Sequence, residues 1–328
     1  MAQQWHVLLP EKMDKTGPNS ISDFAEVTWL SEYDDYDALY ADVDKYDAMI
    51  VRAASLEVTE SLLDRAENLK IISKHGVGVD NIDIPAASER SIIVCNTPGA
   101  NAQAVAEHTL GLVLAVRKNI RQADADLRNG VWERDKYATP ELRESTLGVF
   151  GCGNIGTNTT RFAAEIGMEC LAYDPYLRED DVPVHVETVE SKDVLFRKSD
   201  IVCVHAPLTP ETRAAIGAAE LTLLGSDGII VNTSRGGVVD EDALEAALAA
   251  GDLAGAGIDV FEDEPPAPDS PLLSRDDVIL TPHIAGTTTT SARKKSLWAA
   301  ENIRAVYDGN IPESTLNLQD MFDVRATW

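Results

Sequence analysis

Residues 147–156 read LGVFGCGNIG. The apolar run Leu147–Phe150 leads into Gly151-x-Gly153-x-x-Gly156, and a helix-like run, Ile155–Ile166, follows. A second apolar run, Cys170–Tyr173, ends at Asp174, 18 residues beyond Gly156. Each part has its own physical task. The first glycine permits a tight turn out of a strand. The second lets backbone approach a pyrophosphate, and the third lets helix and strand pack closely. Free N–H groups at the helix start suit negative phosphates. A carboxylate at Asp174 can accept from an adenine-ribose 2′-hydroxyl. Glycine-rich turns alone are common; strand, glycines, helix, strand and acid in this order point to a dinucleotide site that takes NAD.

Outward from that stretch, strand-like and helix-like segments alternate. Before residue 100 the apolar runs are Trp5–Leu9, Ala48–Val51, Lys70–Ser73 and Ile92–Cys95, with a helix-like stretch at Thr59–Ala66. After Phe150 come Glu169–Tyr173, Ile201–His205, Gly228–Asn232, Ala256–Asp259 and Val278–Leu280, with Glu241–Ala250 ending at Gly251. Such alternation predicts an α/β protein with two doubly wound parallel-sheet domains, and 328 residues suffice for two cores. Asn101–Lys118 is apolar on nearly every face, so it must be covered all round by core or by a partner subunit. Ser291–Tyr307 is amphipathic and can carry the chain back to the first domain. The expected division is 1–100 with 288–328, and 101–287 inserted between.

The charge balance is unusual: 55 Asp plus Glu face 28 Lys plus Arg, a formal −27. A surface this acidic disfavours nucleic acid and anionic membrane as partners. The acid is spread along the chain and not gathered in a tail, which fits adaptation to concentrated salt, with an ordinary acidic cytosolic protein as the alternative. Cys95, Cys152, Cys170 and Cys203 stand singly in or beside apolar runs. Buried reduced thiols are expected, with no metal site. No basic, then long apolar, leader is visible at the start and no run reaches membrane-span length, so a soluble cytoplasmic protein is expected.

Open parallel sheets bind ligands at the carboxyl ends of their strands. Three predicted strand ends carry chemistry: Thr233-Ser234-Arg235-Gly236-Gly237, Val260-Phe261-Glu262-Asp263-Glu264-Pro265 and Thr281-Pro282-His283-Ile284-Ala285-Gly286. Arg can hold a carboxylate bidentately. His can move a hydroxyl proton near neutral pH, and a carboxylate can orient it. Spacing does not choose among Glu262, Asp263 and Glu264. His75 and His205 also follow apolar runs and rival His283; His6, His108 and His185 lack such a setting.

These segments resemble the D-2-hydroxyacid dehydrogenase family over essentially the whole chain. The matching pieces are HGVGVDNID (75–83), NTPGANAQAVAEHT (96–109), the glycine fingerprint, HAPLTPET (205–212), NTSRGGVVDE (232–241), GIDVFEDEP (257–265) and TPHIAG (281–286). The resemblance implies a Rossmann dinucleotide-binding domain inserted into a flavodoxin-like substrate domain. It also implies hydride transfer between NAD(H) and a 2-hydroxy or 2-keto acid. It makes Arg235, Glu264 and His283 the catalytic trio. The Val77 and Gly78 backbone would bind the substrate carboxylate. Cofactor contacts fall on Val105, Gly151, Gly153, Asn154, Ile155, Gly156, Asp174, His205, Pro207, Thr212, Thr233, Asp259 and Ala285, with Asp259 facing the nicotinamide amide. A homodimer through the dinucleotide domain and its long helix is implied as well.

Within the family, VGVDNID, GVWERDKY (130–137) and Arg52 in IVRAAS are most similar to the phosphoglycerate-oxidising branch. Arg52 would then meet a substrate phosphate. Two features count against that branch: IAGTTTTSA (284–292) replaces its usual turn, and no regulatory domain follows. Glyoxylate or hydroxypyruvate reduction is the alternative. Formate oxidation is disfavoured, because that branch resembles the trio with Gln at the place of Glu264. A non-enzymatic NAD(H)-sensing corepressor is the distant alternative; no peptide-binding extension is visible beyond the closing QDMFDVRATW.

Overall fold

The structure, a computed structural model, describes residues 4–52 and 56–320. Residues 53–55 of the IVRAAS stretch and 321–328 of the closing segment lie outside the described residues. The chain divides into two compact units, one of 1–101 with 287–328 and one of 102–286.

The first unit holds β1 (Trp5–Leu9), β2 (Ala25–Trp29), β3 (Ala48–Val51), β4 (Ile71–Lys74) and β5 (Ile93–Cys95). They pair in parallel in the order β2-β1-β3-β4-β5, the flavodoxin-like order. β3 and β4 are buried at every position, as a parallel sheet covered on both faces requires. β2 escaped the sequence reading. It is an edge strand whose Glu26 and Thr28 break the apolar run, so it carries no continuous hydrophobic signal.

The second unit holds β6 (Thr146–Phe150), β7 (Glu169–Tyr173), β8 (Glu187–Thr188), β9 (Ile201–Val204), β10 (Ile229–Asn232), β11 (Gly255–Ile258) and β12 (Val278–Leu280). Their order is β12-β11-β10-β9-β6-β7-β8, parallel throughout. The order reverses between β6 and β9, where the crevice of such a sheet opens. β8 is a two-residue edge strand, also unread in the sequence.

Five helices matter here: α1 (Ala102–Arg117), α2 (Ile120–Arg128), α3 (Asn154–Glu165), α4 (Glu241–Ala250) and α5 (Thr289–Tyr307). α4 starts on Asp240, whose carboxylate accepts from Ala243 N, and stops at Gly251 in the left-handed region, φ 75°. The helix α1 packs within its own unit on α3, β10, β11 and β12, and Leu110 and Leu114 are left half-buried. Glycines of β11 make room for it. A Cβ at Gly257 would lie 2.9 Å from Leu112 Cβ, and one at Gly255 2.8 Å from Val116 Cγ1. Overpacking of this kind costs about 1–3 kcal/mol. The helix α2, by contrast, buries none of its residues. Ile120 and Leu127 on it, and Trp132 just beyond, are exposed.

All four cysteines are buried and unbridged. Burial raises the Cys170 thiol to about 11. Among the described residues, no helix is long and apolar enough to cross a membrane, and no group of His, Cys, Asp and Glu could hold a metal ion.

Candidate active site

In the second unit the glycine turn follows β6. Gly151 has φ 96°, and a Cβ there would fall 2.8 Å from Ala206 N. A Cβ at Gly156 would fall 2.3 Å from Gly151 O. Both positions exclude any larger residue. Gly153 differs: nothing lies within 4 Å of its would-be Cβ. It is the N-cap of α3 and offers no side chain to the first amides, those of Asn154 and Ile155. Open space in front of uncapped helix amides is a cradle of the kind a pyrophosphate fills.

Asp174 stands at the end of β7, half-buried. Its Oδ2 accepts from Cys152 N at 2.9 Å and its Oδ1 from Tyr176 N at 2.9 Å. The carboxylate thus latches the glycine turn and keeps acceptor capacity on both oxygens. His205 follows β9, but its ring points into the unit. Nε2 lies 3.0 Å from Thr159 Oγ1, and Nδ1 is buried with no partner among the described residues. Burial holds this imidazole down to about 3, so it is neutral at ordinary pH. As a rival proton carrier it is out of place. Pro207 is exposed, and its carbonyl accepts from Thr212 Oγ1 at 2.5 Å. Val105, Thr109 and Thr233 knit α1 to the end of β10. Thr109 Oγ1 donates to Val105 O at 2.8 Å and lies 2.8 Å from Thr233 Oγ1.

Arg235 follows β10, half-buried, with Nη1 donating to Ser234 O at 2.7 Å. The glycines after it have a definite cause. A Cβ at Gly236 would fall 1.8 Å from Phe261 O, so only glycine lets this segment touch the one carrying the acids. In that second segment Glu262 and Asp263 are exposed. Glu264 is the acid that meets the imidazole. Its Oε2 lies 2.7 Å from His283 Nδ1, and its Oε1 accepts from Phe261 N at 3.2 Å.

His283 has φ 52°, a left-handed conformation that costs a non-glycine residue energy and persists only where neighbours over-determine it. Asp259 does so. The His283 amide donates to Asp259 O at 2.8 Å. The Asp259 carboxylate accepts from Thr281 Oγ1 (2.5 Å), Ile284 N (2.9 Å) and Ala285 N (2.9 Å). Asp259, expected from the resemblance to face a nicotinamide amide, thus has three of its acceptor sites taken by its own chain. Its side chain is fully buried and turned onto the 281–285 segment, because an unpaired carboxylate at that depth would be costly. His108, set aside in the sequence, joins this network. Its Nε2 lies 3.0 Å from Thr281 Oγ1 and 3.6 Å from Asp259 Oδ1. Its one signal was a place on an apolar helix, where a polar side chain must find a partner.

In the first unit, Arg52 leaves β3 exposed, and its Nη1 donates to Lys12 O at 2.8 Å. Asn81 Nδ2 donates to Arg52 O (3.0 Å) and Leu56 O (2.6 Å), while its Oδ1 accepts from the buried Lys74 ammonium. Val77 is exposed and Gly78 half-exposed. Asn96 Nδ2 donates to Val77 O at 2.8 Å and so fixes that turn. His75, the other rival, is buried.

The family model described as D-isomer specific 2-hydroxyacid dehydrogenase, NAD binding domain, matches residues 110–285. The chain belongs to the D-isomer specific 2-hydroxyacid dehydrogenase family. It is 42% identical over 276 residues to D-3-phosphoglycerate dehydrogenase of Methanocaldococcus jannaschii, covering 84% of this chain and 52% of that one. It is 38% identical over 302 residues to hydroxypyruvate reductase of Thermotoga maritima, covering 92% and 97%. The chain thus spans about half the length of the phosphoglycerate dehydrogenase it matches and nearly all of the reductase. Among solved structures, the NADPH-dependent glyoxylate/hydroxypyruvate reductase of Sinorhizobium meliloti in complex with citrate is similar. Its TM-score is 0.84 at 29% identity, over 97% of this chain and 99% of that one.

Proposed function

We propose that the chain is an NAD-dependent D-2-hydroxyacid dehydrogenase with a 3-phosphoglycerate-like substrate favoured. The observation that carries this reading is the 2.7 Å His283–Glu264 pair on a pinned, left-handed turn, in the unit that also bears the glycine cradle. The cradle's open front and uncapped amides fit a pyrophosphate. NAD bound there would supply the hydride acceptor. Residues 102–286 are the cofactor unit in this proposal, and 1–101 with 287–328 the substrate unit.

Gly151, Gly153, Gly156 and the Asn154 and Ile155 amides hold the phosphates. Asp174 accepts from the ribose hydroxyl and repels a 2′-phosphate, which favours NAD over NADP. Val105, Pro207, Thr212, Thr233 and Ala285 shape the cofactor wall, and His205 supports the glycine turn from below. Glu264 fixes the His283 ring through Nδ1, leaving Nε2 to take the hydroxyl proton in oxidation and return it in reduction. Arg235 clamps carboxylate and carbonyl. In the first unit the Val77 and Gly78 amides bind the substrate carboxylate and Arg52 its phosphate. The exposed apolar residues of α2 and Trp132 support a homodimer through the second unit.

A second reading is glyoxylate or hydroxypyruvate reduction. The Thermotoga maritima reductase, matched over 97% of its length, favours it. Steady-state assays with NADH and NADPH against phosphohydroxypyruvate, hydroxypyruvate and glyoxylate decide. The first reading expects the highest kcat/KM with NADH and phosphohydroxypyruvate. A preference for the smaller acids would hand the assignment to the second reading. NADH binding without turnover of any 2-keto acid would instead point to an NAD(H)-sensing corepressor.

A further inference from the structure

Neighbouring residues of α1 hold the ends of two different strands in the second unit. Thr109 Oγ1 lies 2.8 Å from Thr233 Oγ1 at the end of β10, just before Arg235. His108 turns to the end of β12, where its Nε2 lies 3.0 Å from Thr281 Oγ1. Thr281 stands just before His283, and its own amide donates to Ile258 O of β11 at 2.9 Å. His108 is half-buried on a largely apolar helix. A leucine would cover the same surface; what the imidazole adds is the nitrogen at Thr281.

Proton count fixes the direction of each bond. The Ile284 and Ala285 amides can only donate, and they meet Asp259 Oδ1 and Oδ2 at 2.9 Å each. The carboxylate accepts, and the Thr281 hydroxyl, 2.5 Å from Oδ1, gives it its single proton. Thr281 Oγ1 then has only lone pairs to offer His108. The imidazole must carry the proton on Nε2, which makes His108 the donor and sets its tautomer. The bonds therefore run one way, from His108 to Thr281 to Asp259. At their far end is His283, whose amide is shared between Asp259 O at 2.8 Å and Thr281 O at 3.0 Å. With φ at 52°, His283 keeps its turn only while its neighbours hold it. A Thr281 hydroxyl without the His108 donor is free to rotate among its staggered positions. Each turn away from Asp259 takes one donor from the buried carboxylate and loosens the segment that carries His283.

We propose that His108 is a positioning residue for the reaction: its Nε2–H orients the Thr281 hydroxyl onto Asp259 and so holds His283 in its left-handed turn beside Glu264. The proposal rests on the dehydrogenase reading and adds His108 and Thr281 to the residues that serve it. Neither is asked to touch substrate or cofactor. Loss of the donor therefore slows the step that His283 serves and leaves the binding of NADH and keto acid as it is.

The test measures kcat, KM and NADH affinity for wild type, His108→Leu and His108→Gln, with the 2-keto acid that wild type reduces fastest. His108→Leu is expected to lose about 3- to 10-fold in kcat, the worth of one hydrogen bond, with KM and NADH affinity kept. Glutamine places an N–H donor as many bonds from the backbone as the ring Nε2, so His108→Gln should recover most of that loss. Thr281→Val should also lower kcat. The double variant, His108→Leu with Thr281→Val, should lose no more than Thr281→Val alone, because both act on one line of bonds. Additive losses, equal losses in the Leu and Gln variants, or a fall in NADH affinity as large as that in kcat would overturn the proposal. Should His108→Leu fail to fold, Thr281→Val with Thr281→Ser as its rescue carries the same comparison. The tautomer gives an arm independent of turnover. At mildly alkaline pH the ring-nitrogen NMR resonances of His108, assigned by their loss in His108→Gln, should show Nε2 protonated and Nδ1 bare; the opposite tautomer rejects the proposal. If wild type reduces no 2-keto acid, the dehydrogenase reading fails, and the resonances alone decide the role of His108 as donor.

Discussion

The ends of β11 and β12 in the second unit and the ends of β3 and β4 in the first are the same kind of place, yet they are finished differently. In the second unit a buried carboxylate, Asp259, takes three donors and locks His283 into a left-handed turn beside Glu264. In the first, a buried imidazole has no partner among the described residues, and two cations press on it. The lesson concerns when each site pays for order. Donors and acceptors fixed in advance need no rearrangement at the moment of reaction. An unpaired buried imidazole instead stays neutral, and stability falls as pH drops below its ordinary value.

The comparison can be broken most strongly at Asp174, on the preset side. Asp174→Ala should weaken NADH binding about 10- to 100-fold, as loss of a hydrogen bond to a charged group costs about 1.5–3 kcal/mol. NADPH binding should change little, so the two affinities converge. Because Asp174 also latches Cys152 N, Asp174→Asn serves as a control that keeps an acceptor for that amide. A wild type that prefers NADPH would contradict the role given to this carboxylate.

The buried imidazoles sharpen the comparison through stability. His75 and His205 are held to about 4 and about 3, against an ordinary 6.5. An unfolded chain therefore takes up protons below about 6.5 that the folded one refuses. The contribution is complete above that pH and is lost as pH falls toward the folded values. Between about pH 6.5 and pH 5 each group should remove up to about 2 kcal/mol. Denaturant melts at the two pH values check this: His75→Gln and His205→Gln should each flatten the slope.

A smaller effect tests charge crowding over the whole chain. At −27 per chain, carboxylates repel one another until counter-ions screen them, over about 10 Å at 0.1 M salt and about 3 Å at 1 M. Melting temperature should rise between those salts, by about 2–4 °C for each kcal/mol gained. Equal melting points and equal activity would leave the acidity without an adaptive role.

Much of this was legible in the sequence because it rests on local rules. The glycine turn, the start and stop of α4, and the alternation of strands and helices are written in residues a few positions apart. The trio proposed for catalysis, Arg235, Glu264 and His283, came from the resemblance, because spacing could not separate Glu264 from Glu262 and Asp263. Contact did: Glu264 alone of the three meets His283. What stayed hidden depends on residues distant in sequence. β2 is an edge strand with a polar face. The cover of α1 depends on glycines of β11 some 140 positions away. Asp259 was placed at the cofactor by the resemblance alone, and only the folded chain shows its three donors. His75 read as a rival proton carrier because its burial between β3, β4 and α5 leaves no mark in HGVGVDNID.

The central claim is that His283, held by Glu264, moves the proton that accompanies hydride transfer. The direct measurement is kcat for 2-keto acid reduction by His283→Ala, with NADH affinity measured separately by fluorescence titration. The account predicts a fall in kcat of about 10²- to 10⁴-fold with NADH binding unchanged, since the cradle at Gly153 is untouched. Near-normal turnover in His283→Ala would contradict it.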